Sequence, residues 1–139
     1  MGIWDVGVFG NDAAADLLGA LDDAAPAQAL DLLRETLAFA AGHDGYLQVD
    51  DGQAAVAAAA VVAAQRLGGS RLDVTTVPPW MAEGGLDIPQ EFDPLALAAL
   101  DRVVREPSEL RGLWEDGDGL QQFLATLVPL RAALSGRAE

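Results

Sequence analysis

Residues 54 to 64 form an unbroken apolar run of 11 residues, bracketed by Gln53 and Gln65. This is well short of the ~20 residues that span a bilayer. A helix from about Gln53 to Leu67 carries little charge before Arg66 and is apolar on nearly every side, so its neighbours must enclose it. The run is therefore expected to be the central helix of a packed bundle, with the other helices wrapped around it. Its side chains are mostly Ala, and 27 of the 139 residues in the chain are Ala. Small side chains imply a thin core with closely approaching helices. One domain of this length buries a real core without staples.

The flanking segments supply amphipathic partners. Asn11 or Asp12 caps a first helix in which Ala14, Leu17, Leu18 and Leu21 recur at i, i+3, i+4 and i+7, with Asp12, Asp16 and Asp23 on the other side. Pro26 suits the first position of a second helix, with Leu30, Leu33 and Leu37 as its stripe and Gly42 at its end. His43 to Gly52 reads as a polar connection anchored by Tyr46 and Leu47. Beyond the central helix, residues 68 to 93 lose periodicity among Pro78, Pro79, Gly84, Gly85 and Pro89, which predicts one long irregular loop. Asp93-Pro94 reads as N-cap and first residue of a fourth helix, with Leu97, Leu100 and Val104 on one face. Pro107 breaks it, and Ser108-Glu109-Leu110 starts a short helix that stops near Gly117. Asp118 is placed to cap the last helix, where Leu120, Phe123, Leu124, Leu127 and Leu134 keep a stripe that Pro129 should kink or divide. Leu72 to Val77 has some strand propensity but no partner. The fold class is all-α, a single compact bundle of five to six helices over residues 1–139, preceded by a turn-rich arm at residues 1–10.

Charge narrows the function. There are 22 acidic residues against 8 basic ones, all Arg, for a net charge of -14. Gripping a phosphate backbone is close to excluded, so no nucleic acid is expected as partner. The imbalance is concentrated: residues 1 to 65 hold ten acidic side chains against Arg34 alone, a net of -9, and the remainder nets -5. Such a negative pole can steer a basic protein partner and raise association rates, and it also keeps an Ala-rich bundle soluble. The first basic residue is Arg34 and Asp5 precedes any apolar run, so a secretory signal is not expected and the chain reads as cytoplasmic, without a membrane association.

Catalytic patterns are sparse. The absence of Cys removes thiolate nucleophiles, disulfides and cysteine metal sites. His43 is the only His, and Ser70, Ser108 and Ser135 stand in no nucleophile pattern. Glu115-Asp116-Gly117-Asp118-Gly119 comes nearest to a calcium loop, but Leu120 holds the fifth position and the terminal Glu is missing. No catalytic residue, metal site or cofactor is assigned. Trp4 and Trp114 read as core anchors. Trp80, after Pro78-Pro79, either pins the long loop or offers a binding anchor.

The opening Met1-Gly2-Ile3-Trp4-Asp5-Val6-Gly7-Val8-Phe9-Gly10-Asn11-Asp12, followed by Ala13 to Asp16, resembles a bacterial family catalogued as domain of unknown function 4259. Tyr46-Leu47 ahead of the Ala-rich helix, and Ser108-Glu109-Leu110 followed by Leu113-Trp114-Glu115, extend the resemblance over nearly the whole chain. Two positions depart from the family pattern: an acidic residue near Ala60 and a Trp near Phe123 are lacking. The resemblance carries no established activity. It leaves two uses for the opening motif: Trp4 and Phe9 tuck the arm onto the bundle while Asn11 or Asp12 caps the first helix, or Trp4, Asp5, Asn11, Asp12 and Asp16 line a site.

The leading expectation is a small acidic binding module, of immunity or inhibitor type, for a basic protein partner, with Trp4, Asp5, Asn11, Asp12, Asp16, Trp80 and Glu109 as candidate binding residues. One alternative is a carboxylate- or metal-dependent hydrolase using Asp5, Asp12 and Asp16 near Glu109 or Glu115. Another is a structural homodimer that buries the Trp80 loop; monomer and homodimer both remain open.

Overall fold

A computed structural model describes residues 12–66 and 88–135. Six helices are seen among them: α1 (Asp12–Asp23), α2 (Pro26–Ala41), α3 (Val49–Arg66), α4 (Phe92–Val103), α5 (Glu109–Asp116) and α6 (Leu120–Leu134). The only extended pairing among the described residues is an isolated parallel bridge between Leu47 and Ser108, so the all-α reading holds. The arm at residues 1–10, most of the long loop at 68–93, the Leu72 to Val77 segment, and Trp4, Asp5, Asn11 and Trp80 lie outside the described residues.

The central position of α3 follows from its composition. Ala55 through Ala63 are all buried, eight of the nine at 0% exposure, and α1, α2, α4, α5 and α6 all pack against this helix. Side chains no larger than Val let helices approach on every side, and the larger partners come from the surrounding elements: Leu17 and Leu21 of α1, Leu33 and Leu37 of α2, Phe92 and Leu100 of α4, Leu127 and Leu130 of α6. The helix begins four residues earlier than its apolar run suggests, at Val49. Asp50 and Asp51 in the first turn favour the positive end of the helix dipole. A third carboxylate, Glu109, caps that end from 60 residues away. Val49 to Gly52 therefore belong to the helix and not to the preceding connection.

The stripe of α1 stands as expected, with Ala14, Leu17, Leu18 and Leu21 buried. In α2 the core face is Ala29, Leu33, Leu37 and Ala40, while Leu30 is half-buried. In α4 it is Phe92, Ala96, Ala99, Leu100 and Val103, with Leu97 and Val104 half-buried. That helix starts at Phe92, so Asp93 and Pro94 sit in its first turn, one position inside the expected cap. Leu47 anchors its connection at 0% exposure, whereas Tyr46 is 56% exposed and stays outside the core. Helix α6 runs through Pro129 undivided. Leu127 and Leu130, on either side of that residue, are both buried, and tertiary packing of both halves outweighs the lost backbone bond.

Asp118 does not cap α6. It follows α5 with φ 61, in the left-handed region, where Asp118 N donates to Glu115 O and Gly119 N to Trp114 O, the paired closing bonds of a Schellman turn. Gly119 is obligatory beside it, since a Cβ there would lie 2.8 Å from the Trp114 ring, which stacks on Phe123 at 5.9 Å. Glycine adopts the left-handed conformation without the steric cost that Asp bears. Asp118→Gly is expected to stabilise the protein by up to about 1 kcal/mol, read from the urea midpoint; a midpoint unchanged or lowered would contradict this.

Candidate functional site

The connection ahead of α3 is joined to the start of α5. Ser108 accepts from Arg111 N as the N-cap of α5, while Leu47 N donates to Pro107 O and Glu109 N donates to Leu47 O. The same strand-like contact brings the Glu109 side chain to Val49, where Oε1 accepts from the backbone amide at 2.9 Å. Arg102 locks the other side of this junction. It is the largest fully buried side chain, at 1% exposure, and its guanidinium donates to the carbonyls of His43 (2.8 Å), Arg105 (3.0 Å), Pro107 (3.1 Å) and Gly45. A fork of five donors suits this many-sided contact, which a single ammonium could not make.

With α3 fixed in this way, α1 and α2 each lie against it but touch one another little. An open groove remains between them. One part is lined by Asp12, Ala13, Asp16, Leu17 and Ala20 of α1, Leu32 of α2, and Asp50 and Ala54 of α3. The adjoining part lies between α2 and α3; it shares Leu32 and Ala54 and adds Glu35, Thr36, Phe39 and Asp51. The floor is apolar, and among the described residues every charged one lining either part is acidic: Asp12, Asp16, Asp50, Glu35 and Asp51. Arg34, the one basic residue of the first half, is turned to α4. Its Nη2 lies 2.6 Å from Glu91 Oε2, and its guanidinium carbon lies 5.0 Å from the centroid of the Phe92 ring. Phe39 closes one end of the groove, 51% exposed, with its ring 5.1 Å from that of His43. His43 Nε2 in turn sits 3.1 Å from Tyr46 O, which makes it the donor to that carbonyl.

The family model for a domain of unknown function, DUF4259, matches residues 2–126. The chain belongs to this family. No curated protein and no solved structure matches it. The DUF4259 match takes in all three helices of the groove. Within the matched residues, Ala60 lies at 0% exposure inside the core, and Phe123 is the residue that stacks on Trp114.

Of the sequence-derived candidates, Asp12 and Asp16 come together in the groove and are joined there by Asp50. Glu109 does not line it; one of its carboxylate oxygens is engaged by the α3 terminus. Among the described residues no group of three His, Asp or Glu side chains is arranged to hold a metal ion. Among them, too, no helix is long and apolar enough to cross a membrane. Glu35, Phe39, Asp50 and Asp51 were not singled out from sequence as binding residues. The signal was present: Leu32, Glu35, Thr36 and Phe39 fall at i, i+3, i+4 and i+7, a second stripe on α2 beside the one that enters the core.

Proposed function

We propose that this chain is an acidic binding module of inhibitor type, which engages a basic protein partner through the groove between α1 and α2. The observation that carries this reading is the groove itself, where, among the described residues, five carboxylates surround an apolar floor and no basic side chain lines either part. Clustered charge of one sign raises the local concentration of an oppositely charged partner and speeds its approach, and the apolar floor then supplies burial once contact is made. The net charge of -14 extends the attraction over the whole molecule.

The test compares tagged wild-type protein with Asp12→Asn/Asp16→Asn/Asp50→Asn as baits in the native host, at low and high salt, with mass spectrometry of what is retained. The wild type is expected to retain a basic protein that high salt releases, because exposed charge pairs are screened beyond about 10 Å at 0.1 M ionic strength. The variant is expected to retain far less of it. Equal recovery by both baits, or no basic protein with either, would refute the reading.

A further inference from the structure

We infer that the occupant of the groove is a basic amphipathic α-helix of the partner, which presents two turns to the groove and anchors against Phe39. This rests on the reading of the groove as a partner site and specifies the form of the partner.

The dimensions come from the lining residues. Leu32 to Phe39 on α2 and Asp12 to Ala20 on α1 span eight and nine residues, a rise of about 10 and 12 Å of helix, which matches two turns of a docked helix and its i, i+3 or i+4, and i+7 side chains. Backbone chemistry selects helix over strand. All three walls are helices whose own backbone bonds are internal, and the described residues offer no sheet edge to which an extended peptide could add. An extended segment would gain no backbone partner from these walls and would leave its N–H and C=O groups to water alone, whereas a helix satisfies its own. Charge selects the flanks: Asp12, Asp16 and Asp50 stand in one part of the groove and Glu35 and Asp51 in the other. A helix with Leu on one face and Lys or Arg bordering it meets the apolar floor and both acidic groups together. The anchor is Phe39, a half-exposed aromatic at the groove's end, held by the His43 ring behind it. Its ring offers apolar area and a face for a cation.

Fluorescence anisotropy with three labelled peptides of 14 residues tests this: Leu/Lys with Leu at helical spacing, the same peptide with two central residues replaced by Pro, and Leu/Glu at helical spacing. The helical Leu/Lys peptide is expected to bind at least about tenfold tighter than the Pro-broken one, and the Leu/Glu peptide not at all. Phe39→Ala is expected to weaken the helical peptide about tenfold with its salt dependence unchanged. Asp16→Asn/Asp50→Asn is expected to flatten the salt dependence. Thermal unfolding of each variant at the wild-type midpoint shows that the fold is retained. Equal binding of the helical and Pro-broken peptides, with both lost in the Asn variant, would overturn the helix while leaving the acidic groove standing. Binding of neither basic peptide would overturn both, and an unchanged affinity of Phe39→Ala would remove the anchor.

Discussion

Arg102→Met is expected to lower stability by about 3 kcal/mol, measured by urea denaturation at neutral pH. Met keeps much of the apolar stem but removes every donor, so the carbonyls of His43, Gly45, Arg105 and Pro107 lose the group that gathers them. A hydrogen bond from a charged donor contributes about 1.5 to 3 kcal/mol, but four of them do not add, because water reaches carbonyls of exposed loop residues once the guanidinium is gone. Arg102→Lys keeps the charge and should recover less than half of the loss, since one nitrogen cannot serve acceptors on both connecting loops. Hydrogen exchange should localise the damage to residues 43–49 and 105–109, the segments joined through Leu47 and Glu109. A cost under about 1 kcal/mol would mean that the loops are held by their other contacts.

Ala60→Asp is expected to be worse, removing about 4 kcal/mol or more of a stability that for a small domain totals about 5 to 15. Ala60 is at 0% exposure on the helix that all the others pack against, so the new carboxylate would lose its hydration among apolar neighbours. Burial raises the pKa of such a group above its unfolded value of about 3.9. As pH climbs from that value the unfolded chain gives up the proton first, and stability falls until the folded pKa is passed. The uncharged, equally sized Ala60→Asn separates volume from charge. The two variants should be close near pH 4 and diverge towards pH 7, in far-UV circular dichroism and in urea midpoints. Parallel midpoints over that range would show that water or a polar partner reaches position 60.

Much of the bundle was legible because it depends on local rules. The α1 stripe, the Pro26 start, the Ser108 cap and the central, all-round apolar α3 each follow from residues within one or two turns of each other. Where expectation and structure part, a distant group decided. Val49 to Gly52 became helical beneath a carboxylate 60 positions on, and Pro129 was carried inside α6 by burial on both sides of it. Asp118, a good cap by residue type, was drawn into the turn that ends α5, since the Trp114 and Phe123 stack sets where that turn closes. Among site residues, Asp12 and Asp16 stood out through the acidic face of α1. Glu109 stood out for its motif, yet its carboxylate serves a helix end.

By itself the sequence determined the composition of this protein's surface and the class of its fold: the negative first half, and an alanine helix that has no stable place except inside others. Those properties are sums over neighbouring residues, and helical periodicity and net charge need no knowledge of distant contacts. Only the tertiary structure decided which carboxylates stand together, that Arg34 turns away to α4, and that α1 and α2 meet little over α3 and leave an open groove whose α2 wall runs to Phe39. A groove is a relation between three helices. Its lining comes from Asp12 to Ala20, Leu32 to Phe39 and Asp50 to Ala54, stretches that only the packing of α1 and α2 on α3 brings together and that no single segment encodes.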